Sequence, residues 1–383
     1  MKSCLSFKKI IIFGCVISFC FQACHYSQNN NPDSTLNPED FTTVDMEIDD
    51  DINSILNMFD SPKYTVLKES DSIMFAEISK LVVKDNRIYV LDTWEAGTAV
   101  SFDNNGNPIA RYGHLGQGPG EYVKPYDLWI KDSIVYILDT NQKKIIRYDL
   151  DGSFISETSI PFYADAFAVK NDNGFMFSLS PDGEGGPRVC LTDSMGGSRE
   201  FIINSSSGYF GGLVTPNIFR ESSHGISYYE APLDTMHFIA KSGNISSGFV
   251  FDFEDKAVPV SAKLDFLSSR EQKELNNKRW LADQPIILPR GFMYATISED
   301  DIQYNCLIDV NKNKLYGKQF ASEGIPFLLS EFLTNDEEGN LIGFTIPEFI
   351  EKFDEKFQPN DSIMNSLQDN PHLIVTYPIR KKS

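Results

Sequence analysis

Two stretches of the chain carry one pattern twice: Arg87 to Gly113 reads RIYVLDTWEAGTAVSFDNNGNPIARYG, and Ile134 to Ser159 reads IVYILDTNQKKIIRYDLDGSFISETS. A repeat of this size is a small sheet that cannot bury its own faces, so stacking of copies sets the architecture. Two markers keep the register. Alternating strands end in Asp92 and Asp139, 47 residues apart, and turn glycines follow at Gly106 and Gly152, 46 apart. The turn recurs more faintly at Gly196 and Gly243, in steps of 44 and 47. Glycine there supplies the positive φ that tight hairpin turns require.

Each period reads as four short alternating strands separated by Gly, Asn, Asp and Pro, the layout of a propeller blade. The expected fold is therefore all-β, a six-bladed β-propeller of four-stranded antiparallel blades with a short helical insertion and a late helical segment. With the insertion set at 255–284 and the late segment at 347–370, the remaining chain divides into six units of about 44 residues. Five or seven units would miss the observed spacing. The blades are expected at about 78–124, 125–162, 163–208, 209–254, 285–323 and 324–379. In the insertion, Ser268 stands three residues before Glu271, a capping-box spacing. The helix that follows would place Leu275, Arg279 and Trp280 on one side, with Trp280 as its anchor. Open edges are a liability, so the strand Leu373–Ile379 is expected to close the ring with Tyr64–Leu67 in one blade.

The N-terminus reads as a targeting segment over 1–23: Lys2, Lys8 and Lys9 precede an apolar run from Ile10 to Phe21, too short to span a bilayer. It ends in Phe21-Gln22-Ala23-Cys24, which resembles the lipobox of bacterial lipoproteins and marks Cys24 for lipidation; the alternative is a plain secretory signal cleaved near Ala23. A polar tether is expected over 24–62 and the propeller over 63–383. Cys190 and Cys306 sit in apolar strand-like contexts that favour buried thiols, with mutual pairing as the other outcome. Removing Met1 to Ala23 takes three lysines and no acids, so the net charge goes from −20 to −23. Such a field disfavours nucleic acid as a partner.

After a strand ending in Tyr112, the chain reads Gly113-His114-Leu115-Gly116-Gln117-Gly118-Pro119-Gly120-Glu121-Tyr122. This string resembles the six-bladed β-propeller lipoproteins of the Bacteroidetes, related in shape to NHL-repeat propellers. The resemblance implies an exported, commonly lipid-anchored propeller with no assigned enzyme activity, and it carries over no catalytic residue. The string lacks the lysine–serine pair and following helix of a phosphate cradle, so it reads as a rigid interblade loop. Within it His114, Gln117, Glu121 and Tyr122 are the candidate ligand contacts.

Histidines stand at 25, 114, 224, 237 and 372, without metal-ligand spacing, and no cofactor or metal site is indicated. No G-x-S-x-G elbow occurs. Aspartate-rich turns at Asp103–Gly106 and Asp149–Gly152 lack the rest of a calcium loop and read as hairpins. Asp92 and Asp139 are expected to cap strand ends through backbone amides. Most aromatics, among them Trp94, Tyr126, Trp129, Tyr163, Phe210, Tyr228 and Tyr229, should pack between blades, with a few near one mouth free to stack on sugars or grip peptides. The expectation is a noncatalytic, exported propeller at the outer membrane, cell surface or periplasm, held by a lipid on Cys24, binding a protein or glycan through one face. The alternatives are a metal-dependent lyase or lactonase using His114, His224 and His237 in the central channel, and a structural subunit of an envelope assembly.

Overall fold

The computed structural model describes residues 41–49, 51–179, 186–197, 199–205, 217–222, 225–240, 243–264, 269, 274–300, 302–320 and 324–380. The expected targeting segment, Cys24, Phe210, His224 and the expected capping pair Ser268 and Glu271 lie outside them. Among the described residues no helix is long and apolar enough to cross a membrane.

Six sheets follow one another in chain order. Blade 1 comprises Lys80–Lys84, Arg87–Asp92, Thr98–Asp103 and Pro108–Arg111; blade 2 comprises Asp127–Lys131, Ile134–Asp139, Lys144–Asp149 and Phe154–Ser159. Blade 3 runs through Ala166–Val169, Phe175–Ser178, Gly186–Leu191 and Glu200–Ser205, and blade 4 through Phe219–Ser222, Gly225–Tyr228, Thr235–Ile239 and Ile245–Asp252. Blade 5 holds Ile286–Leu288, Phe292–Glu299, Ile302–Asp309 and Lys314–Gln319. Blade 6 holds Glu331–Asn335, Leu341–Thr345 and Leu373–Tyr377, completed by Lys63–Val66 from the start of the chain. The first strand of each blade lines the axis, and the first strand of blade 6 lies beside that of blade 1.

Closure takes the expected form. Leu373 pairs with Val66 and Ile374 with Thr65 in antiparallel register, so one sheet contains both ends of the propeller chain. Between blades, the flat faces meet in apolar wedges. Tyr89, Val135, Ile137, Ile146 and Tyr148 belong to one wedge between blades 1 and 2, while Val90, Phe102, Ile342 and Ile374 pack blade 1 on blade 6. Burial of each such side chain contributes about 1.5–3 kcal/mol.

The repeated residues have defined tasks. Asp92, fully buried, accepts backbone N–H groups from Ala76 and Glu77 on one carboxylate oxygen and from Glu95 and Ala96 on the other. Asp139 does the same for Val123 and Gln142. Each aspartate thus ties the loop that enters its blade to the turn inside it. The hairpin aspartates satisfy their own turns: Asp103 accepts from the amides of Asn105 and Asn107, and Asp149 from those of Asp151 and Ser153. The turn glycines also mediate blade stacking. A Cβ on Gly106 (φ +74°) would stand 1.9 Å from the Val66 carbonyl oxygen of blade 6, and one on Gly152 (φ +88°) 2.5 Å from that of Arg111 in blade 1.

Two features depart from expectation. The stretch assigned to the tether does not stay polar coil to residue 62: Phe41–Asp45 adds in parallel to the outer strand of blade 4, and Ile48–Asp49 to that of blade 5. Val44 and Met46 are buried in the core between those blades. The reason is the open edge each outer strand would otherwise present. The insertion, in turn, has a helix at Val260–Leu264, but Arg279 and Trp280 lie on a strand, Arg279–Leu281, paired with Phe292–Glu299. Trp280 is an anchor, as expected, but from that strand, against Val258, Ala262 and Leu275. The late segment forms short helices at Pro347–Ile350 and Asp361–Ser366. Cys190 and Cys306 are buried, free thiols in different blades, not a pair.

Candidate functional site

Strand alternation divides the loops between two faces. Connections from one blade to the next, and those between second and third strands, leave from one face; hairpins joining first to second and third to fourth strands leave from the other. The loop 113–122 belongs to the first of these faces.

That loop is closed on itself. His114 Nε2 lies 3.0 Å from Glu121 Oε1, and the Gly118 amide donates to Glu121 Oε2 at 2.7 Å. The Gly118 amide, with His114 beside it, holds the Glu121 carboxyl below the usual carboxylate range. Tyr122 is fully buried between blades 1 and 2, and its amide and carbonyl bond to His114 and Gly116. Gly113 (φ +70°) has no room for a side chain, because a Cβ would stand 2.3 Å from the Tyr148 hydroxyl. Of the four candidates, the structure brings His114 and Glu121 together, leaves Gln117 exposed at the loop tip and withdraws Tyr122 into the core.

Around the loop the same face presents exposed apolar side chains: Met74, Trp94 (49% exposed), Leu115, Val123 and Tyr163 (64% exposed). Two lysines cover the aromatics, with Lys124 Nζ 3.5 Å from the Trp94 ring centroid and Lys143 Nζ 3.9 Å from that of Tyr163. Such cation–π contacts contribute about 0.5–1 kcal/mol at exposed sites. Trp94 also meets Tyr126 edge to face at 5.8 Å. The expected division of aromatics holds in part: Trp129, Tyr228 and Tyr229 are buried, whereas Trp94 and Tyr163 face solvent.

The axis widens into a cavity of about 630 Å³ toward the hairpin face, within the size range of small-ligand pockets. Its wall is formed by the inner strands of blades 1, 2, 4, 5 and 6, with Leu81, Trp129, Phe219 and Ile287 among its apolar members. Lys84 Nζ of blade 1 crosses to Glu221 of blade 4 at 2.6 Å and donates to the Ile130 carbonyl at 3.2 Å. Arg220 pairs with Asp283 at 3.2 Å and donates to the Leu333 carbonyl, and Asn217 bonds to the same Asp283 carboxylate. Nearer the other face, Lys80 and Asp127 form a buried ion pair at 2.6 Å, and Asp127 also accepts from the Phe167 amide, linking blades 1, 2 and 3.

Sequence reasoning found none of these axial groups as a set. They stand on short inner strands, or in the case of Asn217 and Asp283 on the loops beside them, whose local patterns resemble any other, and only ring closure faces them toward one another. His114 lies in the loop between blades 1 and 2, and His237 is half-buried on the third strand of blade 4 against Phe41 and Tyr228. The two therefore do not converge in the channel. Among the described residues no group of three His, Cys, Asp or Glu side chains is placed to hold a metal ion.

Comparison with known proteins adds the following. The profile of the family described as "Domain of unknown function (DUF4934)" matches residues 41–376. No curated protein matches the sequence. A Bacteroides fragilis protein described as exported has a similar structure, with a TM-score of 0.69 at 16% identity over 89% of this chain and 100% of that one. A DUF4221-family member from Bacteroides vulgatus has a TM-score of 0.51 at 10% identity, over 85% of this chain and 98% of the other. A virginiamycin B lyase from Staphylococcus aureus reaches only 0.40, at 13% identity over 74% and 80% of the two chains.

Proposed function

The chain belongs to the DUF4934 family, and from that premise we propose that it is a noncatalytic, exported propeller, anchored by a lipid on Cys24, that binds a protein or glycan partner through the face carrying the interblade loops. The observation that carries this reading is the rim of Trp94, Leu115, Val123 and Tyr163 on that face. Exposed apolar side chains gathered on one face suit an interaction surface, and aromatic side chains present large, stiff contact area to sugars or peptides. Lys124 and Lys143 over the two rings hold them in place and add positive charge to an acidic molecule. The candidate loop 113–122 serves this face as a rigid shelf, since Glu121 is bonded to His114 and the Gly118 amide and the Tyr122 backbone to His114 and Gly116.

Export rests on the lysine-led apolar segment and the Ala23-Cys24 pair, together with the exported description of the Bacteroides fragilis protein of similar fold. The reading is tested by in-cell cross-linking and a glycan array with the wild-type chain and a Trp94→Ala/Tyr163→Ala double variant. The expected result is a partner or glycan captured by the wild type and lost in the variant, with unfolding unchanged. Capture equal in both would overturn it.

A further inference from the structure

Lys84 and Glu221 stand on blades 1 and 4, which face each other across a six-blade ring, so their 2.6 Å contact spans the cavity opening. The two ends of this bridge are not equivalent. Lys84 is mostly shielded and has a second fixed partner in the Ile130 carbonyl at 3.2 Å. The Glu221 side chain is 59% exposed, and Lys84 is its one side-chain ion partner among the described residues. If the bridge opens, the carboxylate turns into water while the ammonium stays in the wall. Exposed ion pairs of this kind are weak enough for such exchange.

Two other carboxylates beside the cavity are engaged. Asp283 is occupied by Arg220 and Asn217. Asp336, at the cavity rim, is spent on the amides of Glu338 and Asn340 and on the Asn340 side chain. The wall otherwise offers Lys84 as the lysine whose exposed partner can leave, beside apolar surface from Leu81, Trp129, Phe219 and Ile287, with Glu337 and Glu338 at the rim.

The geometry points to a second binding site, separate from the partner-binding face: the axial cavity takes an amphipathic carboxylate, its head on Lys84 in place of Glu221 and its apolar body against the inner strands. Glu221 is then an internal stand-in for the ligand, and it holds the opening shut when the site is empty.

The test is calorimetric titration of decanoate, decylamine and octyl glucoside into the full chain carrying Cys24→Ser, which removes the lipidation position alone. One decanoate per chain should bind, and decylamine should not. Lys84→Met should weaken decanoate binding about tenfold or more, the order expected for a hydrogen bond to a charged group. Glu221→Gln should tighten it, because the competitor loses its charge. This exposed substitution keeps the test decisive even where Lys84→Met impairs folding. Absence of saturable decanoate binding, equal binding of octyl glucoside, or a Kd unmoved by Glu221→Gln would overturn the assignment. Partner capture through Trp94 and Tyr163 is measured separately, so either reading can fail alone.

Discussion

Two histidines packed against aromatic rings, His372 buried and His237 half-buried, set a pH response. His237 lies edge-on to Phe41 at 5.5 Å, and His372 stacks on Phe75 at 4.2 Å. Burial lowers the pKa of both below the ordinary histidine value. A lowered folded-state pKa means that the native protein binds fewer protons than the unfolded chain once pH falls below about 6.5. Their contribution is therefore complete above that pH and is lost as the pH drops toward their folded values. The melting temperature should fall between pH 7.5 and 5.5, and His372→Asn should flatten that slope; an unchanged slope would show that the imidazole is not its source. Residue identity alone revealed part of this scale. The capping roles of Asp92 and Asp139 were legible from their place at strand ends, since a carboxylate there has backbone amides within reach. The pressure of Gly106 and Gly152 on a neighbouring blade was not, because a turn glycine looks the same whether or not another backbone approaches it.

At the scale of elements, the N-terminal arm is the feature that sequence concealed. Its apolar positions Val44, Met46 and Ile48 do alternate with Asp45, Glu47 and Asp49, a strand pattern obscured by the acidic, linker-like composition around it. What recruits it is the unpaired edge of blades 4 and 5, a property of the folded sheets. The arm should therefore be a structural member. Met46→Ala is expected to cost about 2–5 kcal/mol, the range for emptying a buried methionine site, measured by chemical denaturation. A change within 0.5 kcal/mol would mean that the arm is only loosely laid on the propeller. Trp280 illustrates the opposite case: a large aromatic in a polar insertion announced its own burial, while the choice of strand over helix was made by the open edge of Phe292–Glu299.

For the whole molecule, closure is the cooperative act. Blade 6 lacks its outer strand until Lys63–Val66 returns to Leu373–Tyr377, and the wedge containing Ile342, Ile374 and Phe102 forms only when blades 6 and 1 meet. A chain ending at Asn370 loses the strand that connects Lys63–Val66 to blade 6. It should show no single cooperative unfolding transition, as followed by near-ultraviolet circular dichroism. A truncated chain that melts in one sharp step near the wild-type temperature would show that the ring does not need this clasp. The axial cavity belongs to the same scale, since its wall draws on five blades and no blade contains it.

The amino-acid sequence by itself determined the repeat unit, the number of blades and the pairing of the chain ends. These follow from local alternation and turn chemistry, which act over a few residues and recur at a fixed period. Only the tertiary structure decided which aromatics face solvent, that Lys84 meets Glu221 across the axis, and that an acidic N-terminal stretch becomes two edge strands. Those outcomes depend on contacts between neighbouring or opposite blades, such as Phe41 with Gly248 and Lys84 with Glu221, and these exist only once the blades have assembled.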